Sequence, residues 1–457
     1  MTKTLKILIV LLPLCGWGDC YGQVLESYVQ RGLQHNLALK QENLEIEKAL
    51  ESIHQARALF FPRITFNPTY SLAAGGRRLQ FPVGDLLNPV YSTLNQITRT
   101  NSFPQIANVD ELLAPNNFHD TKFNIQYSIY NPEIKYNYLI QKQMLSVQEA
   151  KKKVLENEIR YNIETAYYQY LQTIEALKIL DNARTTLNEL LRLNQKLVAN
   201  QVATKDIIIA ADYEISKLNQ QMAVMVKNRE MAKAYFNYLS PPTPNGGVHA
   251  EILIPDGGFT GGELKIAFDK AMNTSNTTPL EGGRLITQLD RAIEVSKTAI
   301  ALQEQAAFRP SVFVGGFTGF QGFGYTFSGQ AYAIAQFGLS WDLFKGYERK
   351  SKIQQAKIQT EILKTKKLEV EQQLDLQATQ AYLELDATRQ NLKLVTDAQA
   401  KAEAYFKVID SKFRNGNVLF IEWVKAQNEV VAAQLQQSLT KVEVLIKYSL
   451  LQKALSL

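Results

Sequence analysis

The 457-residue chain is 46% hydrophobic and 21% charged, which is the balance of a folded protein and excludes a disordered one. Its formal net charge of +6 is spread as Lys and Arg interleaved with Glu and Asp, so no basic block marks a nucleic-acid surface.

The first residues carry the pattern of an export signal. Lys3 and Lys6 supply its positive start, and the apolar run 5–14 is too short to cross a bilayer as a helix. Small side chains at Cys20 and Gly22 predict cleavage after Gly22, giving a signal peptide over 1–22. Cys15 and Cys20 would leave with it, so the mature chain is expected to hold no disulfide, thiol nucleophile or zinc ribbon. The residues before each cysteine, Pro13-Leu14 and Gly18-Asp19, do not fit a lipid-anchor signal. The longest charge-free run, 310–341, is broken by seven glycines and does not read as a membrane helix. An exported chain of this kind is periplasmic, surface-attached or an outer-membrane barrel.

Helical periodicity covers 24–61 and stops at Pro62. Ile64, Phe66, Tyr70 and Leu72 then alternate with Thr65, Asn67, Thr69 and Ser71, the period of a strand with one apolar face. Pro68 reads there as a bend or bulge. A long inter-strand loop follows to about residue 121. Phe123, Ile125, Tyr127 and Ile129 alternate with Asn124, Gln126 and Ser128 in a second strand. Residues 133–199 contain no Pro or Gly, and as one helix would reach roughly 100 Å. Ile159, Ile163, Ala166, Tyr170, Ile174 and Leu177 recur at the spacing of one buried stripe. A turn at 200–204 leads into a helix over 205–239. Pro and Gly pairs make 240–262 a turn-rich connector, followed by a short helix over 263–273.

The second half repeats the order. A helix over 285–309 ends at Pro310, and a weaker, Gly-rich strand covers 312–320. Phe337, Leu339, Trp341 and Leu343 alternate with Gln336, Gly338, Ser340 and Asp342 in a further strand. A helix over 347–414, a turn at 415–417 and a last helix over 418–455 close the chain. Ala58-Leu59-Phe60-Phe61-Pro62 parallels Ala306-Ala307-Phe308-Arg309-Pro310, and Thr165-Ala166-Tyr167 parallels Gln380-Ala381-Tyr382. Within each half, two shorter helices together match the long one in length. Stacked end to end beside it, they would bury every apolar stripe. The expected fold is mainly α with a membrane β-barrel. Residues 23–62, 132–240, 284–309 and 346–457 form a periplasmic helical barrel in two repeats. Residues 63–131 and 310–345 form β-hairpins with extracellular loops 76–121 and 322–329, and 241–283 is an equatorial connector. Loop 76–121 reads as a structural loop, an exit gate or a surface target.

Four strands cannot close a barrel, and open edges are not tolerated in lipid, so several copies must share one. Two copies would give about eight strands, filled by side chains, and three about twelve, wide enough for a lumen. The product is a passive conduit. No nucleophile–base spacing, phosphate loop or metal constellation appears, so no enzyme and no cofactor is expected. His35, His54, His119 and His249 lack ligand spacing, and Tyr161, Tyr167, Tyr168 and Tyr170 read as core packing.

This ordered set of elements, with Pro62, Pro310 and the turns 198–206 and 413–417, resembles the TolC family of outer-membrane efflux proteins over essentially the whole mature chain. The resemblance implies a homotrimer with a 12-stranded barrel and a periplasmic helical tunnel. It would lie in the outer membrane of a Gram-negative bacterium and extend into the periplasm. Its tips would dock on a periplasmic adaptor, or membrane fusion, protein that connects to an inner-membrane pump of the RND or ABC type. At the first tip Asn200-Gln201 stands where the family usually has Gly-Leu, and Asn tolerates the left-handed backbone such a turn needs. The second tip carries Gly416 and Asn417. By the same resemblance Asp206 and Glu422 would line a gate at the tunnel mouth, where carboxylate rings favour cations. The plainer alternative is an acidic residue in a first helical turn, favoured by the helix dipole. Lys425, where the family often has a second acid, would pair with Glu422 one turn away.

Three functions follow from this reading. The first is export of small toxic compounds or drugs through a tripartite pump, and the second is the same conduit used for type I protein secretion. The third, a soluble periplasmic coiled-coil adaptor, leaves the aromatic alternating strands unexplained.

Overall fold

A computed structural model describes residues 24–114, 116–241, 252, 262–275 and 283–456. The expected signal peptide and most of the connector lie outside the described residues. The chain divides into two compact units. The first comprises residues 1–49, 144–294 and 361–457, and the second 50–143 and 295–360.

In the first unit, apolar stripes on long helices converge on shared cores. The helices are α1 (Val24–His35), α2 (Leu37–Ala58), α4 (Pro132–Ala199), α5 (Asp206–Leu239), α6 (Gly262–Asn273), α7 (Arg284–Phe308), α8 (Glu348–Arg414) and α9 (Phe420–Ser456). Of these, α2, α4, α7 and α8 also lend one end to the second unit. The 133–199 helix is continuous as expected. It begins one residue earlier because Pro132 presets the helical φ at a position that needs no N–H, while the Asn131 side chain accepts the Glu133 N–H at 2.8 Å. The expected 24–61 helix is instead two. Asn36 interrupts it, its side-chain oxygen accepting the N–H groups of Ala38 and Leu39, the local competition that Asn offers a helix.

One core joins Tyr28 and Val29 of α1, Ile159 to Leu171 of α4, Phe236 of α5 and Leu445 of α9. Tyr167, Tyr168 and Tyr170 are buried there, and Tyr161 sits at its edge under the Lys453 ammonium. A second core joins α8 and α9 through Leu385, Val444 and Leu451, with Ala271 of α6. Arg389 fixes α6 by donating to the carbonyls of Ala271 and Thr274 at 2.6 and 2.9 Å, satisfying acceptors that a helix C-terminus leaves open. Beside the first core, burial raises the Glu164 carboxyl above the ordinary carboxylate range, against the hydrogen bond from Ser449 and the charge of Arg160. A raised carboxyl is favoured protonated in the fold. Its contribution is full below the unfolded value and is lost as pH rises through the raised one. Glu164→Gln is therefore expected to raise the melting temperature at about pH 8 and to leave it nearly unchanged at about pH 4, read by thermal unfolding at both.

The second unit holds two sheets. The larger orders its strands β1 (Arg63–Ser71), β4 (Phe118–Tyr130), β5 (Ser311–Phe323) and β6 (Ala331–Ser340), each antiparallel to its neighbour. The smaller pairs β2 (Arg78–Phe81) with β3 (Val109–Leu112), and between them runs α3 (Val83–Thr98). Three expectations are corrected. Residues 76–121 are not one loop: they contain β2, α3 and β3, and β4 already starts at Phe118. The Gly-rich fourth strand is not weak. β5 is 13 residues long and paired on both sides. Its Phe313 lies across the Gly338 position, where an added Cβ would stand 2.3 Å from the ring, so the missing side chain on β6 makes room for an aromatic on β5. The last strand spans 331–340 and not 336–343. The ladder ends at the Ser311–Ser340 pair because Pro310 has no N–H to carry it further, and Trp341 and Leu343 lie beyond it.

Candidate functional site

The register divides the four-stranded sheet into two chemically distinct faces. Ile64 stands opposite Ile125 and Phe66 opposite Phe123, Gly316 and Thr318 continue those rows onto β5, and Val314 stands opposite Tyr127 on the same face. Phe337 and Leu339 extend the same face onto β6, opposite Val314 and Val312. These side chains are exposed, with Ile64 at 64% and Phe337 at 73%, and the Phe66 and Phe123 rings stack at 4.8 Å. The other face carries Arg63, Thr65, Asn67, Asp120, Lys122, Asn124 and Gln126 on β1 and β4, and on β5 and β6 it carries Gln336 beside Phe313, Phe317 and Ile334. An exposed apolar face backed, across β1 and β4, by a polar and charged one is the reverse of a soluble sheet and fits lipid outside and water inside.

Aromatic groups mark both ends of the apolar face. Tyr70, Tyr325 and Phe327 gather around a fully buried His119, whose Nε2 donates to Thr326 O and Gln330 Oε1 at 3.1 and 2.6 Å. At the opposite end Phe60 meets Tyr138 and Phe344 meets Tyr347, with Trp341 half exposed. Two such girdles bracket an apolar band in membrane barrels. Pro62 and Pro310 each stand one residue before a strand, after α2 and α7 have ended, as the matching sequence positions imply. No helix of the described residues is long and apolar enough to cross a membrane. No group of three or more His, Asp or Glu among them is placed to hold a metal ion.

The predicted tip residues fall at two helix-hairpin turns in the first unit. Both turns close in the same way. At the first, Val202 N–H donates to Leu197 O at 2.9 Å and Gln201 N–H to Val198 O at 3.0 Å. At the second, Asn417 N–H donates to Lys412 O and Gly416 N–H to Phe413 O, both at 2.9 Å. This is the paired bonding of a helix that ends on a left-handed residue. That residue is Gly416 (φ 74°) at one tip and Gln201 (φ 57°) at the other. The left-handed position is thus Gln201 and not Asn200, and a side chain with no local affinity for that region occupies it. Gln201→Gly is expected to stabilise the chain by roughly 0.5–1 kcal/mol and Gly416→Ala to destabilise it by about 1 kcal/mol, measured by denaturant midpoints.

Asp206 opens α5 and Glu422 lies in the first turn of α9, and both are exposed. Asp206 accepts a hydrogen bond from the Thr204 hydroxyl. Glu422 and Lys425 are both exposed and form no ion pair with each other among the described residues. The fully buried Asn194 ties α4 to the start of α5, its Nδ2 donating to Ile207 O at 3.2 Å.

Sequence reasoning missed what locks the second tip. Trp423 is 2% exposed, packs against Phe406 at 5.2 Å and Phe413 at 6.3 Å, and donates from Nε1 to Asp410 Oδ1 at 2.8 Å. Asp410 Oδ2 in turn accepts from Arg414 Nε at 2.7 Å. Leu187 and Leu190 of α4, Leu218 of α5 and Ile409 of α8 share this core, so both tips rest on one apolar cluster. The available signal was a lone Trp one residue past an expected gate acid, on a helix whose partner ends in Phe406, Asp410 and Phe413.

The comparisons agree with this geometry. Residues 293–456 match the family described as outer membrane efflux protein. VceC of Vibrio cholerae superposes with a TM-score of 0.68 at 14% identity, covering 94% of this chain and 96% of that one. CusC, a protein solved in connection with transmembrane channel formation, gives 0.71 at 11% identity over 98% of this chain and 95% of its own. The open state of the MtrE channel of Neisseria gonorrhoeae gives 0.67 at 13% identity over 95% and 89%. Identities at this level establish a shared fold. No curated protein sequence matches the chain.

Proposed function

We propose that this chain, a member of the outer membrane efflux protein family, is one third of an outer-membrane export channel. The observation that carries the reading is the two-faced sheet with unpaired edges. Its order leaves one side of β1 and one side of β6 without partners. Four successive antiparallel strands make β1 and β6 run in opposite directions, so β6 of one copy meets β1 of the next as another antiparallel pair. Lipid does not tolerate either edge, and repetition removes both. Three copies give a barrel of about twelve strands, with the apolar face toward lipid and the Asp120, Lys122 and Arg63 face toward the lumen.

In this reading the helical repeats form the periplasmic tunnel, residues 241–283 its equatorial connector, and the two tips its periplasmic mouth. The tips receive an adaptor protein that joins the channel to an inner-membrane pump of the RND or ABC type. The cargo is small toxic compounds or drugs. Asp206 and Glu422 ring the mouth, and Lys425 moderates the field of Glu422.

Purified oligomer in planar bilayers tests the channel, and an efflux-deficient strain tests the cargo. Stepwise conductance and restored drug resistance are the expected results. Absence of any conductance would sink the channel, and restored secretion of a protein without drug resistance would move the assignment to type I secretion. Asp206→Asn combined with Glu422→Gln is expected to lower cation over anion permeability by about two- to threefold, since each copy loses two charges at the constriction. An unchanged reversal potential under a salt gradient rules out the gate ring.

A further inference from the structure

Residues 72–114 and 116–117 form a folded module in the second unit. Two asparagines of α3 bind the peptide groups of the returning segment in bidentate fashion. Asn88 donates to Ile106 O and accepts from Ile106 N, both at 2.9 Å. Asn95, two turns on, donates to Phe103 O at 2.7 Å and accepts from Phe103 N at 3.1 Å. From the returning segment, Asn108 accepts from Asp85 N at 3.0 Å and donates to the Asp85 carboxylate Oδ2 at 2.9 Å. Gly84 lies so close to Ile106 O that a Cβ would stand 2.5 Å away. The neck is tied as well: Leu113 N–H donates to Arg77 O, Ala73 N–H to Asn116 Oδ1, and the Tyr70 hydroxyl to Asn117 Oδ1. Hydrogen bonds therefore run from the β1–β4 pair into the module, and its orientation is set.

This bonding turns the helix inside out. At about 100° per residue, Asn88 and Asn95 share one face, while Leu86, Val90 and Ile97 lie roughly opposite. The polar face is consumed within the module, and the aliphatic stripe faces outward at 63%, 51% and 73% exposure. Nothing in the described residues covers it.

We propose that this stripe docks on a neighbouring copy of the same chain, joining the modules into a cap over the outer mouth of the barrel; the inference rests on the shared-barrel reading above. Two arguments select that occupant. The module carries Arg77, Arg78 and Arg99 against Asp85, Asp110 and Glu111, and Arg78 is already paired with Asp110 at 2.7 Å. A neutral surface without lysine has no attraction for an anionic lipid headgroup, which interfacial helices obtain from basic residues beside their apolar face. It also meets its own copy without repulsion. Second, three aliphatic side chains fall far short of the roughly 800 Å² per partner that a free-standing complex buries. The stripe can hold only a surface that something else already brings to it. β1 runs directly into the module, and β1 is the sheet edge at which the next copy joins.

The test places the photo-crosslinker p-benzoylphenylalanine at Ile97, and in a control at Ser92 on the other side of α3, in the full chain expressed in outer membranes. Crosslinking needs contact within a few ångström, so the Ile97 probe is expected to yield about fivefold more covalent dimer of this chain than the Ser92 probe. An adduct with lipid or with a different protein, or no adduct in an oligomer that unheated gels show intact, overturns the cap. Absence of any oligomer on the unheated gel overturns the shared barrel itself, and the cap falls with it. As an independent readout, Leu86→Gln combined with Ile97→Gln is expected to keep the oligomer and raise its conductance by about twofold. Unchanged conductance in an intact oligomer counts against the cap.

Discussion

Trp423→Ala is expected to lower stability by about 3–5 kcal/mol, the range for removing a large aromatic from a packed core. Three losses coincide. The indole is 2% exposed, so its removal opens a cavity among Phe406, Phe413, Ile409 and Leu187. The edge-to-face contact with Phe406 and the tilted one with Phe413 go with it. Asp410 loses the Nε1–H donor and keeps only Arg414. The loss is a large fraction of the about 5–15 kcal/mol of a domain and falls on one local cluster, so it favours opening of the tip ahead of the rest. Thermal melting and limited trypsin digestion check it, with early cleavage after Arg414 or Lys425 as the expected pattern. Trp423→Phe keeps most of the packing, and about 1 kcal/mol should be lost with the hydrogen bond. In bilayers Trp423→Ala should also leak at rest, because both hairpin turns rest on the same cluster. An alanine variant with wild-type melting and wild-type digestion would show that the tip is held elsewhere.

What the sequence made legible was whatever has a period. Strand alternation exposed the apolar rows of β1, β4 and β6, and their register brings Phe66 to Phe123 and Val314 to Phe337. Long stretches without Pro or Gly exposed α4 and α8. What stayed hidden depended on a partner distant in sequence. The glycines of β5 blur its period, and they make sense only once Phe313 is seen lying over Gly338. Residues 76–121 read as loop, whereas α3 turns its asparagines inward to another segment and Leu86, Val90 and Ile97 out, opposite to the usual helix. At the tips the turns were legible from composition. The left-handed residue was misplaced by one position because Asn is the better candidate on propensity and the bonding pattern selects Gln201. Trp423 carried no motif at all. Its role comes from Asp410, a full turn-and-hairpin away, on the end of another helix.

The second large effect concerns which face of the sheet meets lipid. Ile125→Arg is expected to abolish assembly in the outer membrane, whereas Asn124→Arg, one residue away, is expected to be tolerated. Ile125 lies on the apolar row between Ile64 and Gly316, and is 43% exposed. Asn124 lies on the other face, between Thr65 and Phe317, two residues from Lys122. An arginine toward the middle of the bilayer costs about 2–4 kcal/mol in a barrel wall. In a shared barrel each copy contributes one, so the assembled trimer loses about 6–12 kcal/mol, comparable with the whole stability of a domain. An arginine on a water-filled lumen costs within about 0.5 kcal/mol, as surface substitutions do. The readout is the heat-modifiable oligomer in outer-membrane fractions, with total protein as the control. The pair also separates the channel from a soluble periplasmic scaffold, where both positions would face water and neither arginine would matter. Equal oligomer yields from the two variants would therefore remove the barrel from the account, leaving the helical repeats without a membrane anchor and the unpaired edges of β1 and β6 without a reason.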